Sequence, residues 1–473
     1  MKKIFKISTL MVSVLMLSSC SDLFDNPLIK TNPNAVGASS ISQSSLLSGA
    51  LLGVGKSYED TDNRIAIMWS GQMAGSNRQH LALSQYIVSS STFNWADYYA
   101  VVGNFKIVEQ KSDEIGDTWT KGIAQVGEVM IMIKVASLWG DAPFAEAGDI
   151  VAFPTPKYED QKTLYSELLS TLDEAIANMS APTGSLPADA DFIFDGDLDK
   201  WIAAANTMKA RLYLHLQDYP NAIASAQKGI KSAEGDALMP HGGSQANDAN
   251  MNWSFFVNTR AGDTNFSDPG AVMPGLMAAN DFKRNAKTDE SALYNHFFQV
   301  GLIVDKALDA NVNDDGYFAS TASQALFTFY ENQLILAEAL ARSGSTADAI
   351  TALNSVRQTL KTGYICGRTI SDDNLDFGIK YDDYAAGDFP TATSLIYEIV
   401  LTKYIVSLGQ FESLVDVRRL EVAQPIVKLP VTPIVSTPSG DIPGRFIIPL
   451  AEVNANPNAP AVLDQFTKLP IFQ

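Results

Sequence analysis

Two stretches of the chain repeat one design: helical hydrophobic periodicity on both sides of a tight turn, with small residues at facing positions. In the first, Leu198 to Leu216 places Trp201, Ala204, Ala205, Met208, Leu212 and Leu216 on one face, and Tyr219 to Ala233 answers with Ala222, Ala226 and Gly229. In the second, Leu326 to Arg342 meets Ala347 to Leu360 across Ser343-Gly344-Ser345, with Ala339, Ala349, Leu353 and Val356 at interior positions. Apolar residues three and four apart form a stripe that must be buried. Small residues facing each other let two helices approach closely, which is how tetratricopeptide units pack. The hairpins lie too far apart for a tandem array of roughly 34-residue period. They read as degenerate repeats separated by long insertions.

Other segments extend the helical reading. From Glu128, the residues Val129, Ile131, Met132, Ile133, Val135, Ala136 and Leu138 are apolar nearly all round, which predicts a buried helix stopped by Gly140-Asp141-Ala142-Pro143. Thr163 to Met179 follows at helical spacing, and a last long helix is expected from Ser394 to Glu421, ending in Arg418 and Arg419. Extended backbone is expected only in short runs such as Phe446 to Ile448 and Pro425 to Val435. The fold class is therefore mainly α: tetratricopeptide-like hairpins, long loop insertions and little β structure.

The N-terminus determines where the chain goes. Lys2, Lys3 and Lys6 precede the mainly apolar run Ile7 to Leu17, which is too short for the roughly 20 residues that a membrane span requires. It has the proportions of a signal peptide. Leu17-Ser18-Ser19-Cys20 fits a bacterial lipobox, so Cys20 is the expected site of lipidation. Several acyl chains, each buried CH₂ contributing about 0.8 kcal/mol, would anchor the protein without a transmembrane helix. Residues 1–19 are read as signal peptide, 20–45 as lipidated N-terminus and tether, and 46–473 as a single α-helical domain.

Charge and cysteine content narrow the function. The net charge is −19, and losing residues 1–19 removes three lysines and no acid, leaving −22. Nucleic acid, which demands clustered Lys and Arg, is excluded as a partner. The two cysteines are Cys20 and Cys366. With Cys20 lipidated, Cys366 has no disulfide partner and is expected as a small buried residue.

Catalytic and metal-binding patterns are missing. His80, His215, His241 and His296 show no paired metal-ligand spacing, and no G-x-S-x-G elbow is present. Gly53-Val54-Gly55-Lys56-Ser57 resembles the end of a phosphate loop, but position 50 is Ala50 where glycine is required. Asn311-Val312-Asn313-Asp314-Asp315-Gly316 begins like a calcium loop, yet Ala322 stands where a bidentate Glu is needed. Asp195-Gly196-Asp197 reads as a turn and helix N-cap before Trp201. No cofactor, no catalytic residue and no metal ligand is assigned; a structural Ca²⁺ on a surface loop is the minority reading.

What remains is a crowd of aromatic and polar residues from 69 to 99, joined by the long insertion 234–285. Flat rings stack on sugar faces while amides, carboxylates and guanidinium groups bond hydroxyls, and the same residue types bind peptides. Trp69, Gln72, Arg78, His80, Tyr86, Trp95, Trp253 and Phe255 are the candidate ligand contacts. The competing reading is that large aromatics are simply core.

Several motifs, taken in order, resemble the SusD/RagB family of nutrient-binding outer-membrane lipoproteins, in its SusD-like branch. They are Lys30-Thr31-Asn32-Pro33-Asn34-Ala35 after the lipobox, Ser137-Leu138-Trp139-Gly140-Asp141-Ala142-Pro143-Phe144, and Asp195-Gly196-Asp197 with Lys200-Trp201 and Ala205-Asn206 through Arg211-Leu212. Glu338-Ala339 with Val356-Arg357, Leu414-Val415-Asp416-Val417-Arg418-Arg419, and Arg445-Phe446-Ile447-Ile448-Pro449 with Glu452 and Asn456-Pro457-Asn458 complete the set. Leu414 departs from the tryptophan usual at that position. The resemblance implies a non-enzymatic, lipid-anchored protein exposed on the outer membrane. It would bind an oligosaccharide, or a peptide in the RagB manner, and deliver it to a SusC-type TonB-dependent barrel by lid-like closure. The family signatures are scaffold residues and locate no ligand site.

Overall fold

A computed structural model describes residues 41–473 except 90, 94, 372–377, 439 and 462–463. Cys20, the signal peptide and the Lys30 to Ala35 motif lie outside the described residues. Helix α1 spans Gln43–Tyr58, so the last three residues expected as tether are already helical; Ser42 caps it by accepting from the Ser45 amide at 3.1 Å. Helices α2 (Thr61–Trp69), α3 (Ala96–Ile115), α4 (Thr118–Leu138) and α5 (Gln161–Met179) follow. Helix α4 starts ten residues before Glu128, where Asp117 accepts from the Thr120 amide, and is buried nearly all round, as its apolar composition requires.

The two expected hairpins are present. Helices α6 (Leu198–His215) and α7 (Tyr219–Ala226) form one; α8 (Phe329–Arg342) and α9 (Thr346–Lys361) form the other, and α7 packs on α8. Asp197 caps α6 by accepting from the Lys200 amide at 3.1 Å, which is the turn-and-cap reading of that acidic run. Helix α7 ends at Ala226, short of the expected Ala233. The reason is tertiary: Asn332 on α8 donates to the carbonyls of Ala226 (2.9 Å) and Ile230 (2.8 Å), ending the helix from outside. Gly229 lies beyond the helix, and a Cβ there would collide with Asn332 Oδ1. Leu326 and Phe327, expected at the start of the second hairpin, instead belong to a strand, Gln324–Phe327.

The long C-terminal helix is also two. Helix α10 (Ala392–Val406) and helix α11 (Glu412–Arg419) are separated at Gly409, whose φ of +85° cannot continue a right-handed helix. The break is stitched from α2 and its C-terminal neighbour: Asn63 donates to the Gly409 carbonyl (2.9 Å), while Gln72 donates to Tyr404 O (2.8 Å) and accepts from the Gly409 amide (3.2 Å).

Strand content among the described residues is five two-stranded antiparallel pairs, the longest joining Ala237–Met239 to Gln324–Phe327 with a bulge at Ala237/Leu238. No strand is assigned over 425–435 or 446–448. Phe446 instead enters an aromatic box. It stacks on Phe93 at 4.3 Å and meets Trp139 and Trp69 edge-on at 5.0 and 5.1 Å, and the Trp139 indole donates to Ile447 O. Phe446 thus joins the C-terminal segment to α2 and α4.

A buried ionic network links the helices. His215 Nε2 lies 2.8 Å from Glu412, Arg211 bonds Glu331, and Lys403 reaches Asp416 at 2.8 Å. Leu414 is fully buried beside them, so the family departure at that position is a packing substitution. Burial alone would raise the Glu338 carboxyl, but Arg419 and Arg342 outweigh it and hold it at about 2. Cys366 is a free, buried thiol, raised by burial.

Candidate functional site

The α1–α2 junction builds an open cleft of about 530 Å³. Asp60 caps α2 by accepting from the Asn63 amide at 2.7 Å, which fixes its carboxylate at the cleft wall. Lys134, buried inside apolar α4, reaches both Asp60 oxygens at 2.9 and 3.0 Å and sits 4.8 Å from the Tyr98 ring centroid. A lysine inside an otherwise apolar buried helix requires such a partner. Tyr98, in the first turn of α3, contacts Asp60 at 2.5 Å and Asp62 at 2.9 Å. Burial first, then the Asp60 charge, raises the Asp62 carboxyl to about 7.

Lys56 and Asp97, both exposed, pair at 2.9 Å, and Arg64, Met251, Gly53 and Ser57 are among the other lining residues. The run that resembled a phosphate loop therefore contributes to a cleft, but from within α1 and not from a strand-to-helix loop. Arg64 bonds Glu59 O and lies over Phe255, 4.4 Å from its centroid. Behind it, Glu59 pairs with His241 at 3.2 Å; burial lowers the imidazole, but Glu59 outweighs burial and raises it. The wall thus combines carboxylate acceptors with ammonium, guanidinium and phenol donors, mostly in opposite-charge pairs.

The residues singled out from sequence fall elsewhere. Trp69 is core: its indole donates to Leu83 O at 2.9 Å, and Tyr86, Phe93 and Phe446 surround it edge-on. Tyr86 and Trp95 are buried in the same aromatic mass, Trp95 against Trp139 and Tyr99. Gln72 is the stitch at the Gly409 break. None of these four presents a face or amide to solvent; all four are buried in the core. Apolar area and polar satisfaction inside the core claim them first.

Arg78, His80 and Phe255 do come together, but around a protein carboxylate. Asp263 lies 2.9 Å from His80 Nδ1 and pairs with Arg78, while His80 meets Phe255 edge-on at 5.0 Å. His80 and Phe255 are buried, whereas Arg78 is exposed and bonds Ala261 O at 2.9 Å. Trp253 is half-buried, two residues after the cleft residue Met251. Sequence reasoning missed Lys56, Asp60, Asp62, Arg64 and Asp97. The available signal was Lys134 within the apolar run of α4, together with the acid-rich spacing Asp60-x-Asp62.

No group of three or more His, Cys, Asp or Glu among the described residues is arranged to hold a metal ion. In the calcium-loop resemblance, Arg368 bonds the Asp314 backbone O and Ser371 donates to the Asp315 carboxylate at 3.1 Å. A wider groove of about 820 Å³ runs beside α8 and α9, but its charged residues Lys231 and Glu234 are solvent-exposed.

Comparison with known proteins places these observations. A family model, SusD-like_2, described as "Starch-binding associating with outer membrane", matches residues 33–446. Among solved structures, a SusD homolog from Parabacteroides distasonis is similar with a TM-score of 0.69 at 20% identity, over 91% of this chain and 98% of that one. A SusD/RagB family protein from Bacteroides thetaiotaomicron is similar with a TM-score of 0.67 at 22% identity, over 89% and 95%. A chitin-binding SusD homolog from Flavobacterium johnsoniae is similar with a TM-score of 0.64 at 14% identity, over 90% and 98%. At these identities the structures establish the fold. Comparison with curated proteins gives no match.

Proposed function

Because the chain belongs to the SusD-like family, described as starch-binding and associating with the outer membrane, we propose that it is a surface lipoprotein that captures a glycan. In this reading Cys20 carries the lipid, residues 20–42 are the tether and the helical body is one unit. The bound glycan passes to a SusC-type TonB-dependent barrel by closure of the body over it, with no bond made or broken and no cofactor.

The observation that carries the glycan reading is the cleft wall of Lys56, Asp60, Asp62, Arg64, Asp97 and Tyr98. Such side chains offer many donors and acceptors, while the pairs Lys56–Asp97 and Lys134–Asp60 cancel most of the charge. A ligand rich in hydroxyls uses both kinds of group, and a cavity of this size falls in the usual range for small-ligand sites, about 300–1,000 Å³. The chitin-binding relative supports the same ligand class.

The test is a thermal-shift and calorimetry screen of the full-length protein against polysaccharides, oligosaccharides and peptide mixtures. A bound ligand at 100 times its Kd adds about 2.7 kcal/mol of stability. Glycan-dependent stabilisation with the glycan recovered intact is expected. Stabilisation by peptides alone would replace the glycan reading with a RagB-like one, and accumulation of shortened sugars would overturn the absence of catalysis.

A further inference from the structure

The groove of about 820 Å³ lies where the α8–α9 hairpin meets residues 231–234 and the strand pair Tyr364–Ile365 and Arg368–Thr369. It shares no lining residue with the cleft, so the two can be filled at once. The chain carries a net charge of −19, yet the groove is balanced: among the described residues its charged lining is Lys231 and Glu234, one of each sign. The rest of its polar lining is hydroxyl and carboxamide. Such a surface suits a neutral ligand rich in hydrogen-bonding groups.

The bonds already made decide what each group still offers. Ser355, Thr359 and Thr362 stand at i, i+4 and i+7, a row about 10 Å long on one side of α9. Each spends its single hydrogen on the helix: Ser355 donates to Ala352 O (2.7 Å), Thr359 to Ser355 O (3.2 Å) and Thr362 to Thr359 O (2.7 Å). Towards a ligand these oxygens can only accept, and Thr362 already accepts from the Tyr364 amide at 3.4 Å. The ligand must therefore bring donors. On α8, no hydrogen bond engages the Gln333 carboxamide among the described residues, which leaves two donors and an acceptor. The Tyr364 hydroxyl donates to Asp236 at 2.7 Å and accepts from the Gly367 amide at 2.9 Å, so its ring is what it offers. Residue choice points the same way. Ser355 and Thr359 are half-buried helix positions where Ala would favour the helix more. Departures from local preference are expected at functional positions.

We propose that this groove is a second glycan site, which takes a short run of neutral sugars lying along α9. The proposal rests on a glycan being the ligand class, and not on the cleft being where it binds. Sugar hydroxyls donate to Ser355, Thr359 and Thr362, the Gln333 carboxamide bonds a neighbouring hydroxyl, and the Tyr364 ring covers an apolar sugar face. A sugar ring carries several O–H donors where a peptide carries one N–H per residue, so a row of acceptors favours the glycan.

The probes are maltoheptaose and chitohexaose, titrated separately into the full-length protein by calorimetry. The proteins are the wild type, the triple variant Gln333→Ala/Ser355→Ala/Thr359→Ala, and Lys56→Ala. Two sites per chain are expected for at least one probe. The triple variant should weaken one site about 10-fold or more and leave the other unchanged, and Lys56→Ala should do the reverse. Because Ala is the better helix former, the melting temperature of the triple variant should not fall, so lost binding is not lost folding. A lower melting temperature with both affinities unchanged makes the hydroxyls structural and overturns the inference. A single site indifferent to the triple variant also overturns it, and weakening of that site in Lys56→Ala leaves the cleft reading standing. A single site lost only in the triple variant upholds the groove and removes the cleft as the site. Binding of neither probe overturns this inference, and the wider glycan reading then fails only if the polysaccharide screen is also silent.

Discussion

Arg419 grips Glu338 with two parallel hydrogen bonds, Nη1 to Oε1 at 2.8 Å and Nη2 to Oε2 at 2.9 Å, with both side chains fully buried. The pair ties α11 to α8, and Asp416, Lys403 and Arg342 neutralise it from the sides. It holds the second hairpin against the C-terminal helices.

Removing one partner strands a buried charge, so Arg419→Ala should cost about 3–5 kcal/mol in urea unfolding. The same pair contributes to acid sensitivity. Glu338 is held at about 2 against an ordinary value of 4.5. Its folded value is depressed, so its contribution is complete above 4.5 and is lost as pH falls towards about 2. Unfolding midpoints measured from pH 7 to pH 3 should decline less steeply in Glu338→Gln than in the wild type.

Trp69 tests the division between core and site. Trp69→Ala should destabilise by about 3–5 kcal/mol, as removal of a fully buried aromatic does. At temperatures where the variant remains folded, calorimetry should give an unchanged glycan affinity. A selective loss of affinity in the folded variant would return Trp69 to the ligand site.

Lys56 and Asp97 give the opposite pattern. Their side chains are 56% and 65% exposed, so breaking the pair in Lys56→Ala should change stability by less than about 1 kcal/mol. If the cleft binds the glycan, calorimetry should show affinity falling several-fold in the same variant. Unaltered affinity would move the site elsewhere.

Three histidines should separate in an NMR titration. Burial, opposed by Asp263, lowers His80; burial lowers His296 to about 4; Glu59 outweighs burial and raises His241. His241 therefore contributes stability below the ordinary value of 6.5 that fades as pH rises through its folded value. His296 acts in the other direction, costing stability as pH falls from 6.5 towards about 4. A His241 midpoint below that of His80 would contradict the Glu59 contact.

Much of the scaffold was legible because local chemistry and burial agree there. Trp201, Ala204, Ala205, Met208 and Leu212 repeat at helical spacing and are all buried on α6. Helix α4 is apolar enough to require burial on every side. The breaks were less legible: Asn332 ends α7, and Gln72 and Asn63 brace the break at Gly409, each from a residue distant in the chain.

By itself, the sequence determined the helical class, the paired hairpins and the family, since periodicity, small residues and ordered motifs are local properties of the chain. Only the tertiary structure decided which polar and aromatic residues face a cavity. An aromatic such as Trp69 has the same composition whether it stacks on a sugar or meets Phe446 edge-on, and packing alone chooses between them. Asp62 reads as an ordinary acid in a helix's first turn until folding places Asp60 and Tyr98 beside it and excludes water, and that environment raises its carboxyl.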